Sequence, residues 1–171
     1  ATGIEKCLNS KGILSFEDPY LGDVLKKITY DQIYDEHVFL FSAHSVENLF
    51  KKVGMEIIKL EPQKTHGGSM RYTLGKINEH KKDDSVQYYF EEEKNSGINN
   101  LDRMFEFNKD VVKSKNELNK LLKRLKSEKK NIVGYAATSK STTILNYCDI
   151  GPEIIDFICD TTPIKINKFS P

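Results

Sequence analysis

The 171-residue chain has no tryptophan, only three cysteines and only five prolines. A disulfide scaffold, a collagen-like repeat and a proline-rich disordered chain are therefore excluded. It also lacks net charge: 26 basic against 25 acidic side chains leave a formal +1. No global field draws it to nucleic acid or to an anionic membrane surface, so an anionic ligand would be held by local groups. No apolar run approaches the ~18 to 20 residues of a membrane span, and residues 1–10 lack a basic-then-apolar leader pattern. These absences predict a cytoplasmic protein with neither a membrane nor a nucleic-acid partner. Glycine-rich nucleotide fingerprints are missing too, since neither G-x-G-x-x-G nor G-x-x-x-x-G-K-[ST] occurs. Cys7, Cys148 and Cys159 are widely spaced within apolar stretches, which predicts buried thiols in a reducing compartment and no zinc site. No pair of histidines has metal-ligand spacing with a carboxylate or thiolate.

What is present is 38% hydrophobic, 30% charged and 10% aromatic residues, the balance of an ordinary α/β protein able to bury a core. Ile4, Cys7 and Leu8 fall at helical spacing, and residues 9–12 stop that helix before a strand at 13–16. A short helix is expected over 19–28 with Pro19 near its first turn, and a short strand over 38–42. Ser45 resembles an N-cap for a helix over 46–53, stopped by Gly54. Strand-like segments at 55–60 and 69–74 flank the turn-rich stretch 62–68 and predict neighbouring strands with a functional loop between them.

Helical periodicity returns over 83–95 and 101–129, broken at 96–100. Lys115, Lys120, Lys123, Arg124 and Lys126 on the second helix read as a solvated basic face. A strand over 131–137, a helix through Leu145 and a strand over 154–160 make a βαβ unit, hence parallel strands. The opening helix and strand read as the end of an αβ unit and no helix is expected after the last strand, so the expectation is a piece of a longer protein.

Three segments carry chemistry. In Tyr34-Asp35-Glu36-His37 a phenol, carboxylates and an imidazole lie within four residues, the makings of a general acid/base site, although a loop histidine also serves as a cap or hydrogen-bonding group. In Thr65-His66-Gly67-Gly68-Ser69-Met70-Arg71 two glycines free the backbone while His, Ser and Arg supply donors for a phosphate or carboxylate; Gly-Gly is equally ordinary loop punctuation. From Gly134 and Tyr135 through Lys140 to Thr143 a strand runs into a helix N-terminus, where N–H groups favour an anion. His44 reads as a neighbour of a helix cap and His80 as an exposed loop residue.

Together, Phe16-Glu17-Asp18-Pro19-Tyr20, Tyr34-Asp35-Glu36-His37 with Phe41-Ser42, and Thr65 through Arg71 resemble the SAM-dependent sugar C-methyltransferases that build branched deoxysugars on nucleotide carriers. Gly134 through Lys140, Leu145-Asn146-Tyr147-Cys148 and Asp160 through Lys165 resemble the C-terminal domain of that family. The resemblance implies an α/β fold: a Rossmann-like βαβ C-terminal domain, the last strands of a class I methyltransferase domain, and long connecting helices. It places the end of the methyltransferase domain at 1–75, connecting helices at 76–130 and a substrate-binding domain at 131–171.

By the same resemblance the substrate is a nucleotide-linked keto-sugar, deprotonated beside its carbonyl and methylated on the enolate carbon. His37 is then the base candidate, with Tyr34 and Glu36 positioning substrate or balancing charge. His66, Gly67, Gly68, Ser69, Arg71, Tyr135, Lys140 and Asn146 are the substrate-binding candidates. S-adenosyl-L-methionine is expected on an upstream domain and zinc in an N-terminal region, with no metal in this chain and the piece alone inactive. The competing expectation is a non-catalytic α/β domain that binds a sugar nucleotide or a protein partner.

Overall fold

A computed structural model describes residues 1–170, which form two compact units. One comprises Ala1–Thr29 with Phe39–Phe105, the other Tyr30–Val38 with the chain from Glu106 onward.

The first unit begins with helix α1 (Thr2–Cys7) and strand β1 (Ile13–Pro19). Pro19 closes β1 instead of opening a helix. It pairs with Ser69 on a strand at the sheet edge, where a missing N–H is tolerated. Helix α2 (Leu21–Lys27) starts two residues later, with Tyr20 at its N-cap. The strand expected over 38–42 is reduced to a single parallel bridge between Tyr20 and Phe41, with Leu21 N–H donating to Phe41 O at 2.9 Å.

Helix α3 (Ala43–Lys51) is capped by Ser42, three residues before the expected Ser45. The two serines share a capping box: Ser45 N–H donates to Ser42 Oγ at 3.1 Å and Ser42 N–H to Ser45 Oγ at 2.9 Å. Ser45 is the N3 partner, which is why either serine reads as the cap. Strands β2 (Met55–Gln63) and β3 (Ser69–Lys76) follow as neighbours, as expected, and then helix α4 (Asp84–Asn95), capped by Asp83.

Sheet order is β1-β3-β2, with β3 antiparallel to both neighbours, so that β1 and β2 run parallel to each other. Alternate residues of β3, Met70, Tyr72 and Leu74, are fully buried in one cluster with Met55, Ile57 and Leu60 of the neighbouring β2 and Val46 and Phe50 of α3. Each such side chain contributes roughly 1.5 to 3 kcal/mol of burial, which makes this packing the main source of the unit's cohesion. Buried Glu47 of α3 adds a polar tie, accepting from Ile57 N–H at 2.8 Å. His80, expected exposed, is half-buried against Gly75 with its Nε2 out of solvent.

Helix α5 (Leu101–Ser127) starts in the first unit and continues in the second. It is followed by strand β4 (Gly134–Tyr135), helix α6 (Ser139–Cys148) and strand β5 (Ile158–Cys159). The two strands are parallel, as a βαβ unit requires, but two residues long each instead of the seven expected. Ala136 adopts φ 71° and ends β4. Ile154 and Ile155 instead close a turn on the Gly151 carbonyl at 3.0 and 3.1 Å. The core of this unit joins Leu122 of α5 to Cys148, Ile150 and Ile154.

The basic face of α5 is only partly a solvated one. Lys115 reaches Asp149 and Lys126 reaches Asp156, each at 2.8 Å. Of the three thiols, Cys148 alone is buried, and Cys7 and Cys159 are exposed, contrary to expectation. Helix α1 buries no residue at all, so apolar neighbours in sequence did not carry Cys7 inside. Among the described residues no helix is long and apolar enough to cross a membrane, and no group of three or more His, Cys, Asp or Glu is placed to hold a metal ion.

Candidate functional site

In the second unit, residues 30–38 form a loop anchored at its first turn. The 3-10 turn Tyr30–Gln32 buries both of its ends, and Gln32 is fully enclosed. The Tyr30 ring meets Tyr147 of α6 edge-on at 5.5 Å, and its hydroxyl lies 3.6 Å from Cys148 Sγ. Beyond the anchor the backbone folds on itself, Ile33 N–H donating to Tyr30 O and His37 N–H to Tyr34 O.

That last turn brings the acid/base candidates together. Tyr34 Oη lies 3.2 Å from His37 Nε2, and the rings meet edge-on with centroids 4.9 Å apart. Loss of hydration, and then the Glu36 carboxylate, hold the Tyr34 phenol above its ordinary pKa, so it stays protonated at neutral pH. With the imidazole proton on Nε2, that N–H donates to the phenol oxygen and the Nδ1 lone pair is left free; with the proton on Nδ1 the phenol donates to Nε2 and no lone pair remains. His37 and Tyr34 are half-buried and Glu36 is exposed, so the group is open to a ligand.

A cleft of about 370 Å³ lies in the same unit. Its apolar lining comes from Ile144, Leu145, Ile155 and Ile158, and its polar lining from Asp31, Tyr135, Lys140 and Ser141. Tyr135 is 82% exposed, an aromatic face free for stacking. Asn146 does not line the cleft; its amide donates back to Thr142 O within α6.

The turn before α6 has most of its backbone donors engaged. Thr138 and Ser141 form a capping box, and Ala137 N–H donates to Asp160 Oδ2 at 2.8 Å. Lys165 Nζ closes the turn from behind on Ala137 O at 2.6 Å. Hydrogen bonds from Thr162 and from Ala137 N–H, with Lys165 close by, hold the Asp160 carboxyl far below the usual carboxylate range.

The glycine-bearing candidates belong to the first unit, where they are committed to local structure. His66, Gly67 and Gly68 all take positive φ, at 52°, 87° and 132°. A Cβ on Gly68 would sit 2.0 Å from Asp23 Oδ2, so only glycine lets the loop close on α2. Lys27 Nζ donates to Gly67 O at 2.8 Å. Ser69 is buried, with its hydroxyl donating to Thr65 O at 3.4 Å. Arg71 is paired to Glu17 directly across the β1–β3 ladder, at 2.8 Å from Nε and 2.5 Å from Nη2.

Sequence reasoning missed Glu93. Its buried carboxylate accepts from Ala43 N–H at 2.5 Å, His44 N–H at 3.0 Å and Tyr20 O–H at 3.1 Å. His44 Nδ1 lies 2.6 Å from the same carboxylate. The available signal was spacing, since Val86, Phe90 and Glu93 recur at i, i+4 and i+7, which puts an acid on the apolar face of α4.

Comparison with known proteins gives two findings. The family described as C-methyltransferase C-terminal domain matches residues 64–171. The C-methyltransferase NovU of Streptomyces niveus is 28% identical over 170 residues, covering 99% of this chain and 40% of the relative. The chain thus spans about two-fifths of the length of the relative it matches.

Proposed function

Since the chain belongs to the C-methyltransferase C-terminal domain family, we propose that it is the C-terminal part of a methyltransferase that uses S-adenosyl-L-methionine to methylate a carbon beside the keto group of a nucleotide-linked sugar. The observation that carries this reading is the Tyr34–His37 contact, which couples a phenol to an imidazole in a half-exposed loop.

Carbon methylation beside a carbonyl needs a base that works near neutrality, and an imidazole of ordinary pKa ~6.5 is suited to it. His37, with Nε2–H donating to Tyr34, takes the proton on its free Nδ1 as the C–H bond breaks, and the electron pair passes into the enolate. Tyr34 fixes the ring through its hydroxyl, and the Glu36 carboxylate acts on that phenol. The cleft lined by Tyr135 and Lys140 serves the acceptor.

S-adenosyl-L-methionine supplies the methyl group. The Gly67–Gly68 turn does not serve as its cradle, because Asp23 stands against Gly68 and Lys27 donates to the Gly67 carbonyl. We assign the cofactor to a preceding part of the enzyme, together with zinc in an N-terminal region. On this reading residues 1–75 end the methyltransferase domain, 76–130 connect, and 131–171 bind substrate.

The test is hydrogen–deuterium exchange beside the keto group by the complete enzyme. His37→Ala abolishes the exchange if His37 is the base; exchange at the wild-type rate removes it from that role.

A further inference from the structure

We propose that Asp31 determines acceptor specificity: its carboxylate accepts a hydrogen bond from an N–H or O–H donor of the acceptor. This rests on the reading of the cleft as the acceptor site. The donor is either a ring N–H of the nucleotide base or a hydroxyl or amino group of the sugar, and both present the same chemistry to a carboxylate.

Asp31 is the one residue of the 30–38 loop that lines the cleft, and the one carboxylate in that lining. Its neighbours hold it there. Tyr30 is 8% exposed and packed on Tyr147, and Gln32 is completely buried, so the turn between them cannot rotate without opening the core. The carboxylate therefore stands at a fixed place beside four aliphatic side chains. A carboxylate beside apolar surface loses hydration when a ligand arrives, and that loss is offset only by a donor on the ligand.

The same charge sets orientation. A diphosphate placed against Asp31 would be repelled, whereas Lys140 in the same lining attracts it, so one of two ways of seating the acceptor is disfavoured. Asp31 also precedes His37 by six residues within one short folded loop. A contact at Asp31 thus ties the acceptor to the segment that carries the proposed base, although that base does not itself line the cleft.

The experiment uses the complete enzyme, titrated with a panel of nucleotide-sugars and with the corresponding nucleoside diphosphates. Asp31→Ala is expected to weaken the preferred nucleotide-sugar roughly 10- to 100-fold, the range of a lost charge-assisted hydrogen bond, with the melting temperature unchanged. Asp31→Asn, which keeps one acceptor oxygen, loses less. Weakening of the nucleoside diphosphate to the same degree places the donor on the base; unchanged nucleoside diphosphate binding places it on the sugar. If wild type binds a nucleotide-sugar and Asp31→Ala binds it equally within twofold, this proposal is overturned and the acceptor reading stands. If wild type binds none of the panel, the acceptor reading falls and Asp31 falls with it.

Discussion

Tyr20 and Tyr72 show what burial does to a single titratable side chain. Each hydroxyl finds one acceptor: Tyr20 donates to Glu93 Oε1 at 3.1 Å and Tyr72 to Phe41 O at 3.2 Å. Loss of hydration comes first and the Glu93 charge second in pushing both phenols well above their ordinary pKa of ~10. The folded state therefore keeps protons that the unfolded chain releases. Their contribution to stability is complete below pH ~10 and is lost as pH rises beyond it. The urea midpoint should be level from pH 8 to 10 and fall above it, and Tyr72→Phe should flatten that fall; a midpoint level to pH 11.5 would contradict the assignment. Legibility at this scale depended on sequence distance. Tyr34 and His37, three residues apart, meet as their spacing suggested, whereas Arg71 is occupied by Glu17, 54 positions away, and its pairing could be read only from strand register.

Glu93 belongs to the scale of elements, because one side chain of α4 closes the end of α3. Ser42 satisfies Ser45 N–H, and Glu93 takes those of Ala43 and His44, so three donors at the start of α3 are met by two different segments. Glu93→Ala leaves two of these buried donors and the Tyr20 hydroxyl unmatched, and should cost about 2 to 4 kcal/mol in denaturant unfolding. Glu93→Gln, which keeps an acceptor oxygen, should cost less, and equal losses for the two variants would show that shape, not acceptance, matters at this position. The helices α4 and α5 were legible from their apolar period. The start of α3 was misplaced because both serines of a capping box have cap chemistry. The shortness of β4 and β5 was hidden, since the left-handed turn at Ala136 occurs without a glycine to announce it.

At the scale of the whole molecule the chain builds two cores, one around the β1-β3-β2 sheet and one between α5, α6 and the segment that follows it. Residues 30–38 leave the first unit in sequence and join the second in space, because Tyr30 packs beside Tyr147 and Cys148, 118 positions from the latter. No local pattern announces such a pairing. The same packing governs the thiols. A chain without tryptophan has no indole emission by which to follow its motions, yet it carries two exposed thiols and one sealed beneath Tyr30. Added to the native chain, a thiol reagent should consume Cys7 and Cys159 in one fast phase and reach Cys148 only as often as the second unit opens. The slow phase then acts as a clock: at reagent concentrations where modification outpaces reclosing, its rate levels off at the frequency with which the core that anchors the 30–38 loop on α6 opens.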